Sequence, residues 1–241
     1  SAISDAHPLN MGAVGVTGTT AANALAAEAD LVLAVGTRLQ DFTTGSRTLF
    51  RAPGHRIVSL NVQPFDAGKH SAQPLVADAK AGLAALGEAL GDWRAPEAWA
   101  ERARVEKQRW QETASGFTVA GNAELATDAQ VIGAVQRHAS PSDIVVCAAG
   151  GLPGELHKHW QAGQAGGYHV EYGYSCMGYE VAGGIGIRMA SPDRDVFVMV
   201  GDGSYLMMAT ELATAVQEGV KVIVVLVPNQ DLASNGSVSE S

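Results

Sequence analysis

Two polar residues at the ends of apolar segments have the chemistry to share one small, hard cation. Residues 195–200 form an apolar segment that runs into Gly201-Asp202-Gly203-Ser204, and a second one, residues 221–227, ends just before Asn229. Each reads as a β-strand and residues 205–218 read as a helix, so the unit is strand, helix, strand, with parallel strands and a right-handed crossover. Neighbouring strands lie about 4.8 Å apart. A carboxylate and an amide oxygen leaving the same sheet edge can therefore meet at one ion, and magnesium suits that all-oxygen set. Gly201 and Gly203 let the backbone turn tightly and approach a phosphate where a side chain would obstruct it. Gly-Asp-Gly alone is an ordinary turn. The conjunction with a second strand end, Asn229 lying 27 positions after Asp202, points to a site for a magnesium diphosphate.

Two further loops are expected at that edge. Behind an apolar strand at 144–147 comes Ala148-Ala149-Gly150-Gly151-Leu152-Pro153-Gly154, which leads into a short helix near 155–160. A glycine loop entering a helix presents backbone N–H groups to an anion, although a plain strand-to-helix connection looks the same when taken alone. Its position decides its interest, because ligands of open α/β sheets gather at the carboxyl ends of the strands. The second loop is Glu171-Tyr172-Gly173-Tyr174-Ser175-Cys176-Met177-Gly178-Tyr179-Glu180, followed by a glycine- and alanine-rich helix over 181–189. Met177 at such a junction is ordinarily core filler.

The elements that must position these loops are those of an α/β protein with two units and parallel sheets. In the first, a glycine-rich opening leads to a helix at 20–29, strands at 31–35 and 57–62, and a helix at 77–90. Residues 1–92 read as a central α/β domain, 93–122 as a linker helix region, and 123–241 as a diphosphate-binding domain truncated at its end. The linker helix, over 96–112, alternates charges around Trp99 and Trp110 and reads as a solvated face whose tryptophans dock on a neighbour. The last domain opens on a helix at 128–138, for which Thr127 is the expected cap. Because the chain starts on a glycine loop with no strand before it, further sequence is expected upstream.

Composition excludes several classes. The 241 residues are 46% hydrophobic, enough for a substantial core. The longest wholly apolar run, 222–227, is far too short to span a bilayer, and no leader opens the chain, so a soluble, cytoplasmic protein is expected. Sixteen basic against 25 acidic residues give a formal charge of −9, which disfavours a nucleic-acid partner. Cys147 and Cys176 lack a CxxC spacing and read as buried thiols, not as a disulfide or zinc framework. His157 and His159 near Glu155 diverge at i,i+2 on a helix and read as surface histidines. No nucleophile elbow is present, and Gly12-x-x-Gly15-x-x-Gly18 is not a dinucleotide fingerprint.

The Asp202 and Asn229 arrangement resembles the magnesium and diphosphate motif of thiamine diphosphate enzymes. Within that family, His7-Pro8-Leu9-Asn10, Gly15-Val16-Thr17-Gly18-Thr19, the stretch from Gly36-Thr37-Arg38 to Gly45-Ser46, and Glu171 through Glu180 are most similar to the trihydroxycyclohexanedione hydrolases of inositol catabolism. The resemblance implies the central domain and most of the diphosphate-binding domain. It also implies that Asp202 and Asn229, with a carbonyl near Asp231, hold magnesium. Gly150, Gly151, Leu152, Ser175, Gly201, Gly203 and Ser204 would line thiamine diphosphate, and Met177 would wedge it into a bent form.

The implied reaction breaks a carbon–carbon bond of a cyclic polyol diketone with water, giving 5-deoxy-glucuronate, in a homo-oligomer, dimer or tetramer. The family's activating glutamate lies in a pyrimidine-binding domain and is expected upstream, so no catalytic residue is assigned here and the fragment is expected to be inactive alone. The polar stretch 230–241 departs from the family's apolar continuation. An acetolactate synthase-like lyase or transferase, or a non-catalytic cofactor-binding module, stays open as an alternative.

Overall fold

The computed structural model describes residues 2–121 and 125–228. It divides into two compact units, Met11–Thr113 and the segments Ser1–Asn10 with Ala114–Ser241. Among the described residues, no helix is long and apolar enough to cross a membrane.

In the unit from Met11 to Thr113, the elements are α1 (Thr20–Glu28), β1 (Leu31–Val35), α2 (Asp41–Thr44), β2 (Arg56–Asn61), α3 (Pro64–Ala67), β3 (Gln73–Val76), α4 (Ala79–Leu90) and α5 (Glu97–Phe117), the last extending beyond the unit's boundary. The three strands are parallel in the order β1-β2-β3. The sequence pattern missed β3. It contains Pro74, which cannot donate to a ladder and is confined to edge positions. Thr19 caps α1 by accepting from Ala22 N–H at 3.0 Å, and Asp78 caps α4 by accepting from Ala81 N–H at 3.0 Å. The charge run on α5 is not wholly solvated as expected. Glu106 is 4% exposed and its carboxylate accepts from Arg102 and Arg109, while Arg102 also pairs with Glu28 of α1 at 2.8 Å. Burial is tolerated there because the guanidinium groups supply directed donors to the carboxylate.

The other unit contains α6 (Asp128–His138), β4 (Ile144–Cys147), α7 (Leu152–His159), β5 (Tyr168–Val170), α8 (Tyr179–Ala190), β6 (Val196–Gly201), α9 (Asp202–Met208), α10 (Glu211–Gln217) and β7 (Ile223–Val227). Its sheet is parallel throughout, in the order β5-β4-β6-β7. Alternation along β4 builds two cores. Val145 and Cys147 pack with Ile132, Leu152, Leu156, Trp160 and Phe197, whereas Ile144 and Val146 pack with Val181, Ile185, Val198 and Ala215. Helices therefore cover both faces, as the continuous apolar run Ile-Val-Val-Cys requires.

Thr127 caps α6 as expected, and Gln130 returns a hydrogen bond to Thr127 N–H to complete a capping box. The single helix expected over 205–218 is two. Leu212 N–H bonds to Ala209 carbonyl and Ala213 N–H to Thr210 carbonyl, tighter i→i+3 spans that break the α register between α9 and α10. The N-terminal segment that joins this unit is anchored through Asp5, whose carboxylate accepts from Ala162 N–H at 2.7 Å and whose N–H donates to Ala162 carbonyl at 3.1 Å.

Helix α8 approaches β6 so closely that a Cβ on Gly184 would stand 2.4 Å from Val198 Cγ2. Gly184→Ala should therefore destabilise the protein by about 1–3 kcal/mol despite alanine's better helix propensity. Urea unfolding measures this, and an alanine variant as stable as the parent would contradict the close approach.

Candidate functional site

The connections after β4, β5 and β6 leave the same edge of the sheet, because all the strands run parallel. One side chain ties all three together. Glu180, in the first turn of α8 and 1% exposed, accepts through Oε1 from Ala149 N–H at 3.2 Å and through Oε2 from Gly178 N–H at 3.0 Å and Ser204 hydroxyl at 2.7 Å. Ser204 Oγ also accepts from Gly178 N–H at 2.7 Å. Ala149, Gly178 and Ser204 belong respectively to the loops after β4 and β5 and to the start of α9. Sequence reading placed Glu180 at the end of a loop without a role. Its signal was there to be seen, as a carboxylate inside the otherwise glycine-rich, apolar helix Tyr-Glu-Val-Ala-Gly-Gly-Ile-Gly.

Around this tie stand the other expected residues. Gly150, at φ +91°, and Gly151 are exposed, and a Cβ on either would meet nothing within 4 Å, so the loop is open toward its surroundings. Leu152 begins α7 and is buried in the core. In the β5 loop, the Glu171 carboxylate accepts from Tyr174 N–H and Cys176 N–H, both at 2.8 Å, and these bonds hold its pKa below the usual carboxylate value. This cap positions the exposed Ser175, at φ +54°, and Met177, which is 44% exposed. Gly178 adopts φ +93°, and a Cβ there would fall 2.5 Å from Met208 Cγ, so only glycine fits the turn into α8.

On the third strand, Gly201 ends β6 in register with Val227 of β7. Asp202 is half-buried with Oδ1 accepting from Gly203 N–H at 2.7 Å. Ser204 is buried, its hydroxyl turned inward to Glu180. Asn229 and Asp231 lie outside the described residues.

Asp202 is the acidic side chain that opens the helix after β6. Among the described residues, no group of three or more His, Cys, Asp or Glu side chains gathers to hold a metal. Asp202 would therefore need amide, carbonyl or phosphate oxygens to complete a coordination shell.

The histidines and one cysteine differ from expectation. His159 is 7% exposed, within 3.4 Å of Glu155 Oε2, and burial lowers its pKa. His157 packs against the rings of Tyr172 and Tyr168, with centroids 4.9 and 5.3 Å away, and burial lowers its pKa to about 4. The rings against His157 come from β5 and the loop beyond it, whereas His159 meets the Phe117 ring at the end of α5 edge-on, with centroids 6.1 Å apart. Cys147 is buried as expected, with Sγ 3.5 Å from Tyr168 hydroxyl, and burial pushes its pKa up to about 12. Cys176 is instead exposed, on the capped β5 loop.

A parallel sheet with three linked strand-end loops, one opening on paired glycines and one on Gly-Asp-Gly, defines a cofactor-binding α/β unit. Residues 1–86 match the profile of the thiamine pyrophosphate enzyme central domain, and residues 148–238 that of the thiamine pyrophosphate enzyme C-terminal TPP binding domain. Together these matches take in more than half of the chain, which belongs to the thiamine pyrophosphate enzymes.

Its similar proteins narrow the comparison. A 3D-(3,5/4)-trihydroxycyclohexane-1,2-dione hydrolase of Geobacillus thermodenitrificans is 43% identical over 94% of this chain and 38% of its own length. A protein of that name from Bacillus cereus is 42% identical, covering 95% of this chain and 39% of its own length. One from Clostridium perfringens is 38% identical with the same coverage, 95% and 39%. The chain spans about two fifths of the length of these relatives.

Burial of His157 makes a pH prediction. Its folded pKa of about 4 lies below the ordinary 6.5, so between these values the unfolded chain binds the proton more readily. Stability contributed by the neutral ring is full above pH 6.5 and is lost as pH falls toward 4. The slope of melting temperature against pH in this window should flatten in His157→Gln, and an NMR titration of His157 near 6.5 would contradict the assignment.

Proposed function

We propose that the protein carrying this chain is a magnesium- and thiamine diphosphate-dependent hydrolase. It would open 3D-(3,5/4)-trihydroxycyclohexane-1,2-dione by adding water across a carbon–carbon bond, giving 5-deoxy-glucuronate in inositol catabolism. The observation that carries the reading is the junction of three strand-end loops at Glu180, with open backbone at Gly150 and Gly151 and a carboxylate, Asp202, at the head of α9. The names of the similar proteins support the substrate. Thiamine diphosphate, when bound, supplies the electron sink that lets a bond beside a ketone break, with no net redox change.

The chain's own residues bind and orient. Asp202 and Asn229 would hold magnesium. Gly150, Gly151, Leu152, Gly201 and Gly203 present backbone to the diphosphate, and Ser204 does so through its main chain because its hydroxyl is engaged with Glu180. Ser175 and Met177 stand on the capped loop, where Met177 would support the cofactor. In this reading residues 1–92 are the central domain, 93–122 the connecting helix and 123–241 the cofactor domain. The working form is a cytoplasmic homo-oligomer. The exposed apolar side chains of Tyr174, Leu206 and Met207 on the same unit support a covered face there.

Two measurements test the proposal on the full-length protein. It should open the cyclic diketone and leave pyruvate untouched, whereas pyruvate decarboxylation or acetolactate formation would replace this reading with the synthase-like one. In calorimetry, Asp202→Ala should weaken magnesium-dependent thiamine diphosphate binding by at least about tenfold, the loss expected for a charged ligand. Unchanged binding would remove Asp202 from the metal site.

A further inference from the structure

We propose that Glu180 is a positioning residue, whose sealed carboxylate sets the spacing of the three loops that hold the diphosphate end of the cofactor. The inference rests on the cofactor reading given above. Its three hydrogen-bond donors come from three separate segments: Ala149 N–H at 3.2 Å, Gly178 N–H at 3.0 Å and Ser204 hydroxyl at 2.7 Å. Among the described residues, Glu180 joins no ion pair with Lys, Arg or His, unlike Glu106, which is also buried but held by Arg102 and Arg109. A buried carboxylate without a cation is costly, and only directed donors and the positive end of α8 offset it.

Packing does not require it. The neighbouring α8 residues Val181 and Ile185 already fill the core against β4 and β6, and an apolar residue at 180 would extend that contact. What an apolar residue would lose is the link between loops. Ala149 N–H precedes the open glycines Gly150 and Gly151, Gly178 N–H follows Met177, and Ser204 sits in the first turn of α9 after Asp202. Each donor is thus one or two residues from a group assigned to the cofactor, so a shift of the carboxylate moves all three walls together.

The test uses the full-length protein, with thiamine diphosphate affinity measured at fixed magnesium on samples shown to be folded by circular dichroism. Glu180→Ala should weaken affinity at least about tenfold while substrate KM stays within about twofold, since the cradle and not the substrate contact is disturbed. Glu180→Gln should recover most of the loss. Its Oε1 can keep Ala149 N–H and its Nε2 can donate to Ser204 Oγ, which retains Gly178 N–H. Ser204→Ala, which removes one arm of the tie, should weaken affinity by about threefold to tenfold.

A folded Glu180→Ala with parental affinity overturns the proposal. Should that variant fail to fold, parental affinity in Ser204→Ala overturns it instead, because a purely structural carboxylate predicts that result. Failure of the parent itself to bind thiamine diphosphate sinks the cofactor reading and this inference together, whereas binding that no variant changes sinks this inference alone.

Discussion

Parallel pairing of β5, β4, β6 and β7 is the constraint from which the site follows. Parallel strands end on one side, so each connection must leave the sheet at that side before its helix returns across a face. Ile144–Cys147 at the centre is buried on both faces, and this double burial fixes both the register and the positions of α7 and α8. A one-residue slip of β6 against β4 would exchange Val198 and Phe197 between the two cores and carry Asp202 away from its neighbours. The apolar interior therefore determines where the polar groups stand.

The core strands, the α6 cap and the Asp202 turn were legible because each is a local pattern. Ile144–Cys147 is an unbroken apolar run, Thr127 is a favoured cap residue just ahead of a helical pattern, and Gly201-Asp202-Gly203 ends an apolar strand. Glu180 was not legible as a tie, since its partners lie 31, 2 and 24 residues away and only the folded sheet brings them together. The same holds for His157. Helical spacing says that it diverges from His159, but the rings packed against it arrive from Tyr168 in β5, a strand too short to announce itself, and from Tyr172 in the loop that follows. Cys176 erred in the opposite direction. Its apolar surroundings in sequence suggested burial, whereas the Glu171 cap turns its loop outward.

Two carboxylates of this edge, Asp202 and Glu180, sit in contrasting environments. Asp202 is half-buried, and one oxygen accepts from the adjacent Gly203 N–H, so its direction is set by its own turn while part of the side chain stays open to solvent. Glu180 is sealed, and every bond it makes is to the protein. In the role proposed for it, Asp202 needs water nearby, because desolvating a carboxylate and a cation in advance would cost more than their attraction returns. A group that must hold loops at fixed spacing gains from exclusion of water, since its hydrogen bonds strengthen in a low dielectric and have no competitor. Ser204 marks the boundary between them. It lies two residues after Asp202, yet its hydroxyl faces Glu180, so the first turn of α9 presents one polar side chain outward and the next inward. A short helix beginning at the strand end can do this because residues at i and i+2 point to different sides, which makes Gly201-Asp202-Gly203-Ser204 both the outer wall of the site and its inner fastening.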